Sequence, residues 1–394
     1  MLVALIGNSW FLSYLLADLA CLVLMLPMLR KLTPDIGSEM QVTCFRALIW
    51  CVMIYTLTDI VLSVQMAIPS SLPAWAMHAA AIVNEISMAG IAYFWFLYAE
   101  ARLEYEHLER RRSLLAISLP FMAISVLSAT SPATGLLYRL DAGSNYSRGP
   151  LFLLIAAAEY FYNIMVVVLA VRRLKQAQTA TQREVSRAIL LFLAAPVSAG
   201  ILQLITPMTP VMCIAFAVAV YFVFLEMVYV QVNNDALTGL NNRRRAETWL
   251  MHARTDASAD HPLYVFVVDV DWFKQINDSL GHLEGDRALR MVADALRQTA
   301  DQFHGFAARI GGDEFLYAIS GDRMTDPQAA VSAAGSFLDR RLQESRASYH
   351  LTLSIGYAAC TDPQESMESL IARADRNQYE SKQLHHAGHP GRER

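Results

Sequence analysis

Residues 263–271 read Leu-Tyr-Val-Phe-Val-Val-Asp-Val-Asp. The apolar run has strand length and lacks the alternation of a half-exposed strand, so it predicts a strand buried on both faces within an α/β layer. It ends on Asp269 and Asp271. Two carboxylates at i and i+2 on a strand point to the same side and suit a hard cation bound through oxygen. Working outward, Phe273-Lys274-Gln275-Ile276-Asn277-Asp278 is followed by Gly281-His282 and Gly285-Asp286. A helical pattern opens there, with Leu289, Val292, Ala293 and Leu296 on one stripe. Further on, 306–310, Gly311-Gly312-Asp313-Glu314 and 315–320 predict a β-hairpin, in which the glycines permit positive φ and close backbone approach. Asp313 and Glu314 join Asp269 in supplying carboxylates from separate elements to one metal site. Mg²⁺ held by a few carboxylates and by substrate phosphates is the usual device for phosphoryl transfer. A helix near 326–346, a strand near 349–359 and a helix near 365–386 complete the α/β unit.

Upstream the composition changes. The 394 residues are 55% hydrophobic and 17% charged, too apolar for an ordinary soluble enzyme and too charged for a pure membrane bundle. Only 27 of the first 230 residues are charged, against 41 of the remaining 164. The fold class implied is an α-helical membrane bundle over 1–230 followed by an α/β domain over 231–394. Seven apolar runs of spanning length lie near 9–29, 46–68, 75–98, 113–131, 150–171, 188–206 and 210–231. The first is too long for a cleavable signal peptide, has no basic residue before it and carries Asp18. Basic residues collect after spans one, three and five (Arg30 and Lys31; Arg102 and 110–112; Arg172, Arg173 and Lys175). The positive-inside rule then puts the N-terminus outside and the C-terminal domain in the cytoplasm, and an odd number of spans agrees. The net charge of −4 gives no electrostatic reason to expect nucleic-acid binding. The five cysteines show no paired or metal-type spacing, and four lie in apolar runs, where a buried free thiol is the expectation.

Acidic residues inside spans are costly. Asp18, Asp59, Glu85 and Glu159 each lie about nine or ten residues from the outer end of their span, which at ~1.5 Å per residue is one layer. Asn84 adjoins Glu85, and Asn163 follows Glu159 on the same helix face. One reading is a polar cavity, open outward, for an unidentified extracytoplasmic or membrane-embedded ligand that is cationic or hydrogen-bonding. The other is interhelical packing of neutral acids. The 132–149 loop could cover such a cavity or simply connect two spans. Glu226, near the inner end of span seven, reads as structural.

The C-terminal half resembles the GGDEF family of diguanylate cyclases. Gly311-Gly312-Asp313-Glu314-Phe315 is the motif that names the family, and four more signatures stand in order around it: DALTGLNNRR at 235–244, DVDWFKQINDSLGHLEGD at 269–286, SIG at 354–356 and ADRNQYESK at 374–382. The seven-span half resembles, by topology alone, the sensory modules of bacterial signalling enzymes. The resemblance implies that two GTP are condensed to cyclic di-GMP with release of two pyrophosphates. It also implies a homodimer in the bilayer of the bacterial inner membrane, with the two catalytic domains facing each other. Asp269, the Val270 carbonyl and Asp313 would hold Mg²⁺, with Mn²⁺ as a substitute. Asp313 would serve as base towards the 3′-hydroxyl, with Glu314 supporting the metal region. Asn277 and Asp286 would read the guanine edge, on which an acceptor carboxylate faces two N–H donors. Gly311 and Gly312 would line the nucleotide site, while Phe273 and Lys274 would offer backbone amides to the phosphates and Lys382 a charge. The alternative is a catalytically silent domain acting as a nucleotide receptor or interaction platform.

Two departures stand out. The family's inhibitory product site, an Arg-x-x-Asp, would occupy 302–305, where the chain has Gln302-Phe303-His304-Gly305. Product inhibition through that site is therefore not expected. The family also often carries Arg four residues after Lys382, where this chain has His386. Imidazole gives phosphate a weaker, pH-dependent contact. His386→Arg should lower the apparent KM for GTP, and steady-state kinetics showing an unchanged or higher value would remove His386 from the site.

Overall fold

The computed structural model describes residues 9–33, 37–68, 71–103, 105, 111–141, 146–177, 180–205, 210–324, 326–345, 347 and 349–387. The side chains of 9, 111, 180, 181, 184, 203–205 and 384–387 lie outside the description. The chain divides into two units, Met1–Val228 and Tyr229–Arg394.

The first unit is helical. Helices α1 (Ser9–Lys31), α2 (Glu39–Ala67), α3 (Ala74–Arg102), α4 (Arg111–Thr134) and α5 (Leu153–Gln176) are followed by α6 (Ala180–Phe192), α7 (Ala194–Ile205) and α8 (Val211–Asn233). Among the described residues, seven stretches are long and apolar enough to span a membrane, with α6 and α7 supplying one between them. That sixth span breaks at Leu193 because Pro196 has no N–H to return to the Phe192 carbonyl. The second span begins at Glu39, earlier than its apolar run, because Ser38 and Gln41 form a capping box. In lipid the apolar effect does not press helices together, so interlocking side chains must do it. Phe45, Trp95, Phe96, Tyr98 and Tyr162 form a buried aromatic core, with Trp95 stacked on Phe192 at 3.6 Å. Leu16, Val23, Leu119, Ile164, Leu191 and Phe222 face outward, as a lipid-facing surface requires. Glu226 pairs with Arg102 at 3.1 Å, the structural role its position suggests. The 132–149 loop holds a short antiparallel hairpin, β1 (Tyr138–Leu140) and β2 (Tyr146–Arg148).

The second unit is a five-stranded sheet in the order β3-β5-β6-β4-β7. It contains β3 (Asn241–Asn242), α9 (Arg243–Ala253), β4 (Leu263–Val270), α10 (Phe273–Leu280) and α11 (His282–Gln302). Then follow β5 (Phe306–Arg309), β6 (Glu314–Ser320), α12 (Pro327–Ser345), β7 (Leu353–Cys360) and α13 (Met367–Ala387). As expected, β4 is buried on both faces, and it lies inside the sheet between β6 and β7. Alternate side chains feed two cores: Phe266 and Val268 pack with Leu289, Val292 and Leu296, whereas Val265 and Val267 pack with Leu250, Leu370 and Ala374. Residues 235–244 form the expected stop, turn and restart, with Gly239 at φ +67 and Asn242 capping α9 through the Arg245 N–H.

Two local expectations are corrected. Asp271 does not accompany Asp269 at a cation site: it lies beyond the end of β4, fully buried. Its carboxylate accepts from Thr352 at 2.8 Å and Ser354 at 2.6 Å. A bend that takes Asp271 out of the strand ends the i, i+2 alternation. The second concerns Gly311 and Gly312, which do not use the left-handed region. A Cβ at Gly311 would lie 2.7 Å from Glu314 Oε2, whereas one at Gly312 would meet nothing within 4 Å, so the turn borders open space there.

A different glycine controls packing. A Cβ at Gly356 would lie 2.0 Å from the Gln378 backbone nitrogen and 2.4 Å from the Ala374 carbonyl. Strand β7 and helix α13 therefore approach backbone to backbone. Gly356→Ala should cost about 1–3 kcal/mol, as overpacking does, and lower the Tm of the detergent-solubilised chain by about 5 °C. Gly312→Ala, made beside it, should leave the Tm unchanged.

Candidate active site

The site is built around the end of β4. Register pairs Asp269 with Glu314 of β6 on one side and with Ser354 of β7 on the other. The motif turn is closed by the Ile310 and Gly311 N–H groups, which both donate to the Glu314 carbonyl at 3.0 and 3.2 Å. The Val270 N–H donates to the Asp313 carbonyl at 3.3 Å, tying the turn to the strand end. Asp269 and Asp313 are thus held as neighbours. Burial pushes the Asp269 carboxyl above its ordinary range. Lys382 pulls it back, and the charges of Asp313 and Asp271 add to the rise.

Lys382 arrives from α13, with Nζ 2.7 Å from Asp269 Oδ1. The backbone approach at Gly356 lets α13 lie close enough to β7, and Asn377 fixes the helix by donating to the Tyr357 carbonyl at 2.8 Å. A carboxylate near a strand end and another in the adjoining turn, the first already drawing an ammonium, form a donor set that fits a hard divalent cation. Asp269, Asp313 and the Val270 carbonyl are the groups that could hold it.

Beyond Asp271, Trp272 adopts φ 60, a conformation that costs an ordinary residue about 1 kcal/mol or more. It turns the chain directly into α10, whose first amides, Phe273 and Lys274, have no preceding helical carbonyl to bond. Such amides suit an anion. Asn277 follows one turn later. Its Oδ1 would lie 1.9 Å from a Cβ at Gly285, so Gly285 creates the seat for the Asn277 side chain, and Asp286 is next in sequence. The turn at Gly281 (φ +85) joins α10 to α11 and places these residues on facing elements. His386 lies on α13, but its side chain is outside the described residues. Gln302–Gly305 end α11: His304 adopts φ 51 and the Gly305 N–H donates to the Ala300 carbonyl at 2.6 Å.

An arginine that the sequence reading passed over completes the site. Arg309 donates through Nε and Nη2 to the Gly312 carbonyl at 3.1 and 2.7 Å, and through Nη1 to Asp235 Oδ1 at 3.0 Å. One side chain therefore fastens the motif turn to the 235–244 segment. Its only sequence signal is a basic residue at a strand end, which identifies no partner. Arg297 donates to the Thr238 carbonyl at 2.9 Å and pins the same segment to α11.

The acids of the membrane half do not share one site. Asp18 and Asp59 meet Cys213. Glu85 instead accepts from Ser128 at 2.9 Å and from Tyr146 of the hairpin at 3.1 Å, so the hairpin does cover this acid. Glu159 is half-buried, with Oε1 enclosed and unpartnered; Asn163, also half-buried, lies one turn along. Asn84 donates to the Tyr55 carbonyl and to Thr58 on α2.

Residues 232–387 match the family described as diguanylate cyclase, GGDEF domain. Residues 13–233 match the N-terminal 7TM region of histidine kinase. The chain belongs to the 7TM family and carries a GGDEF domain. Diguanylate cyclase DgcZ of Escherichia coli K12 is 29% identical over 171 residues, covering 43% of this chain and 57% of that protein. Diguanylate cyclase DgcS of Shewanella oneidensis is 32% identical over 197 residues, covering 46% and 62%. The chain thus spans less than two thirds of either relative. The coiled coil and GGDEF domain of DgcB from Caulobacter crescentus, solved with c-di-GMP, is 30% identical at a TM-score of 0.34, covering 41% of this chain and 85% of that one.

The Arg309 clamp makes the GGDEF domain acid-sensitive in a defined way. Burial alone would raise the Asp235 carboxyl, but bonds from Thr238 and Arg309 outweigh it and hold the group below its ordinary value. A depressed acid contributes stability that is present above the unfolded value, about 4, and lost as pH falls through the lower folded value. Asp235→Asn should lower the Tm at neutral pH, and the difference from the parent should shrink as melts are repeated below about pH 4.

Proposed function

We propose that this chain is a membrane-bound diguanylate cyclase, condensing two GTP to cyclic di-GMP and two pyrophosphates under the control of its 7TM region. The observation that carries the proposal is the convergence at the end of β4. Asp269 and Asp313 are held as neighbours, Lys382 lies 2.7 Å from Asp269, and the free amides of α10 open beside them.

Asn277, seated over Gly285, and Asp286 are placed to read the guanine edge, where a carboxylate accepts from N1–H and N2–H but offers adenine no equivalent pairing. The Phe273 and Lys274 amides receive the terminal phosphates, and Lys382 adds positive charge. The open space at Gly312 admits the nucleotide past the motif turn. Mg²⁺, or Mn²⁺ in its place, supplies charge stabilisation at the phosphates when held by Asp269, the Val270 carbonyl and Asp313. Asp313 is the candidate to take the proton of the 3′-hydroxyl, supported by Glu314. Each 3′-oxygen then forms its bond to the α-phosphorus of the other nucleotide, and the bond to pyrophosphate breaks. One domain positions one GTP, so two copies of the chain must face each other. Catalysis in such a pair is chiefly orientation. The setting that fits is the bacterial inner membrane, with the N-terminus outside and the GGDEF domain in the cytoplasm.

Purified chain in detergent with Mg²⁺ and GTP should yield cyclic di-GMP, identified by mass. Asp313→Asn should reduce turnover by at least about 100-fold, and Gly285→Ala should raise KM by displacing Asn277. Absence of any cyclic dinucleotide from the intact chain, with and without membrane extract, would leave the domain a nucleotide receptor.

A further inference from the structure

One group of side chains in the membrane half is unlike the rest. Asp18 of α1, Asp59 of α2 and Cys213 in the first turn of α8 each present a ligand atom, and these atoms all lie within 4.8 Å of one another. Asp18 has no exposed surface even in the protein alone, so it faces the bundle and not the lipid. Neither of its carboxylate oxygens has a hydrogen-bond partner among the described residues. Asp59 is better served: Tyr14 donates its hydroxyl to Oδ2 at 2.7 Å, and the Cys213 thiol reaches the same oxygen at 3.7 Å. A thiol has a single proton and cannot satisfy both acids. An enclosed acid, a half-buried one and a buried thiol therefore share a space in which one carboxylate is left without a donor among the described residues. Burying a charge without a partner is among the costliest arrangements a chain can adopt, and more so in a membrane.

We propose that Asp18, Asp59 and Cys213 bind a borderline divalent cation of the zinc class. The donor set identifies the class. Oxygen ligands alone would suit magnesium or calcium, whereas a thiolate beside two carboxylates favours Zn²⁺ and its close analogue Co²⁺. The spacing fits as well. Tetrahedral zinc with a sulfur near 2.3 Å and an oxygen near 2.0–2.2 Å sets those two atoms about 3.6 Å apart. Cys213 Sγ and Asp59 Oδ2 are already 3.7 Å apart. Three protein ligands leave a fourth position for water or an incoming group. Tyr14 touches Asp59 and orients it, as partners behind metal ligands commonly do. Binding displaces the Cys213 proton, and the divalent cation offsets two of the three ligand charges, with the Tyr14 hydroxyl bond to Asp59 spreading the remainder. The site also joins three helices that nothing local in the sequence brings together. It ties the first turn of α8 to α1 and α2.

The test uses the full chain in detergent, stripped with chelator and titrated with Co²⁺ and then Zn²⁺. Co²⁺ should bind with a thiolate-to-cobalt charge-transfer absorption that Zn²⁺ abolishes by displacement, and Zn²⁺ should raise the Tm. Asp18→Asn, nearly isosteric, and Cys213→Ser should each weaken binding by more than the 10–100-fold typical of losing a mere orienting partner. Both variants should keep the parent helical circular dichroism. Cys360→Ser, in the other unit, should retain the absorption. The cluster carries no metal if no thiolate band appears, or if the band survives Cys213→Ser. A rise in Tm for Asp18→Asn with no response to Zn²⁺ would equally overturn the proposal, since the two acids would then simply share a proton.

Discussion

Lys382 Nζ stands 2.7 Å from Asp269 Oδ1, and much of the GGDEF domain is arranged so that this pair can form. The carboxylate sits at the end of the doubly buried strand β4, where burial raises its cost of ionisation. The ammonium comes from a helix 113 residues further along the chain. Bringing them together requires α13 to approach β7 more closely than any side chain would allow. Gly356 satisfies that requirement. A half-buried pair of this kind adds little net stability, because desolvation offsets the attraction. What it provides is an ammonium that opposes the effect of burial on a carboxylate lying beside a second acid.

The same economy governs the motif turn. Its glycines do not use the left-handed region, and Arg309 adds a side-chain clamp to the backbone bonds that close the turn. Three donors from one guanidinium, two on the Gly312 carbonyl and one on Asp235, make the 235–244 segment and the motif turn a single unit. Arginine suits this role because its planar fork holds several acceptors at once with little further loss of freedom. A lysine at 309 could satisfy one of these acceptors but could not fix their relative placement.

The parts legible in the sequence were those dictated by local pattern. The run at 263–270 read as a doubly buried strand because its environment is uniform along its length, and seven apolar runs read as spans because lipid imposes length. The helix stripe at Leu289, Val292, Ala293 and Leu296 lies in the core where periodicity put it. The illegible parts depend on residues distant in sequence. Asp271 looked equivalent to Asp269 until the chain bent away and Thr352 and Ser354 claimed it. Arg309 and Gly356 carry no mark of what they will touch. The acids at the end of β4 and in the motif turn could be named because a motif marks them, whereas the groups that hold them in place could not.

The membrane acids show the same limit from the other side. Equal depth along four spans suggested one layer with one purpose, but depth is a single coordinate and says nothing of azimuth. Glu85 faces α4 and the hairpin, where Ser128 and Tyr146 each supply a hydrogen bond. Asp59 and Asp18 face a different set of helices, with Tyr14 and Cys213. An acid that has found two neutral donors is settled, and the simplest account of Glu85 is that it anchors the hairpin. An acid left with none among the described residues, beside a thiol and a second acid, is not settled in the same way. The two cases share depth, residue class and enclosure by protein, so the difference in role comes from the count of donors within reach. That count, not position within the span, is what separates an acid used for packing from one available to a ligand.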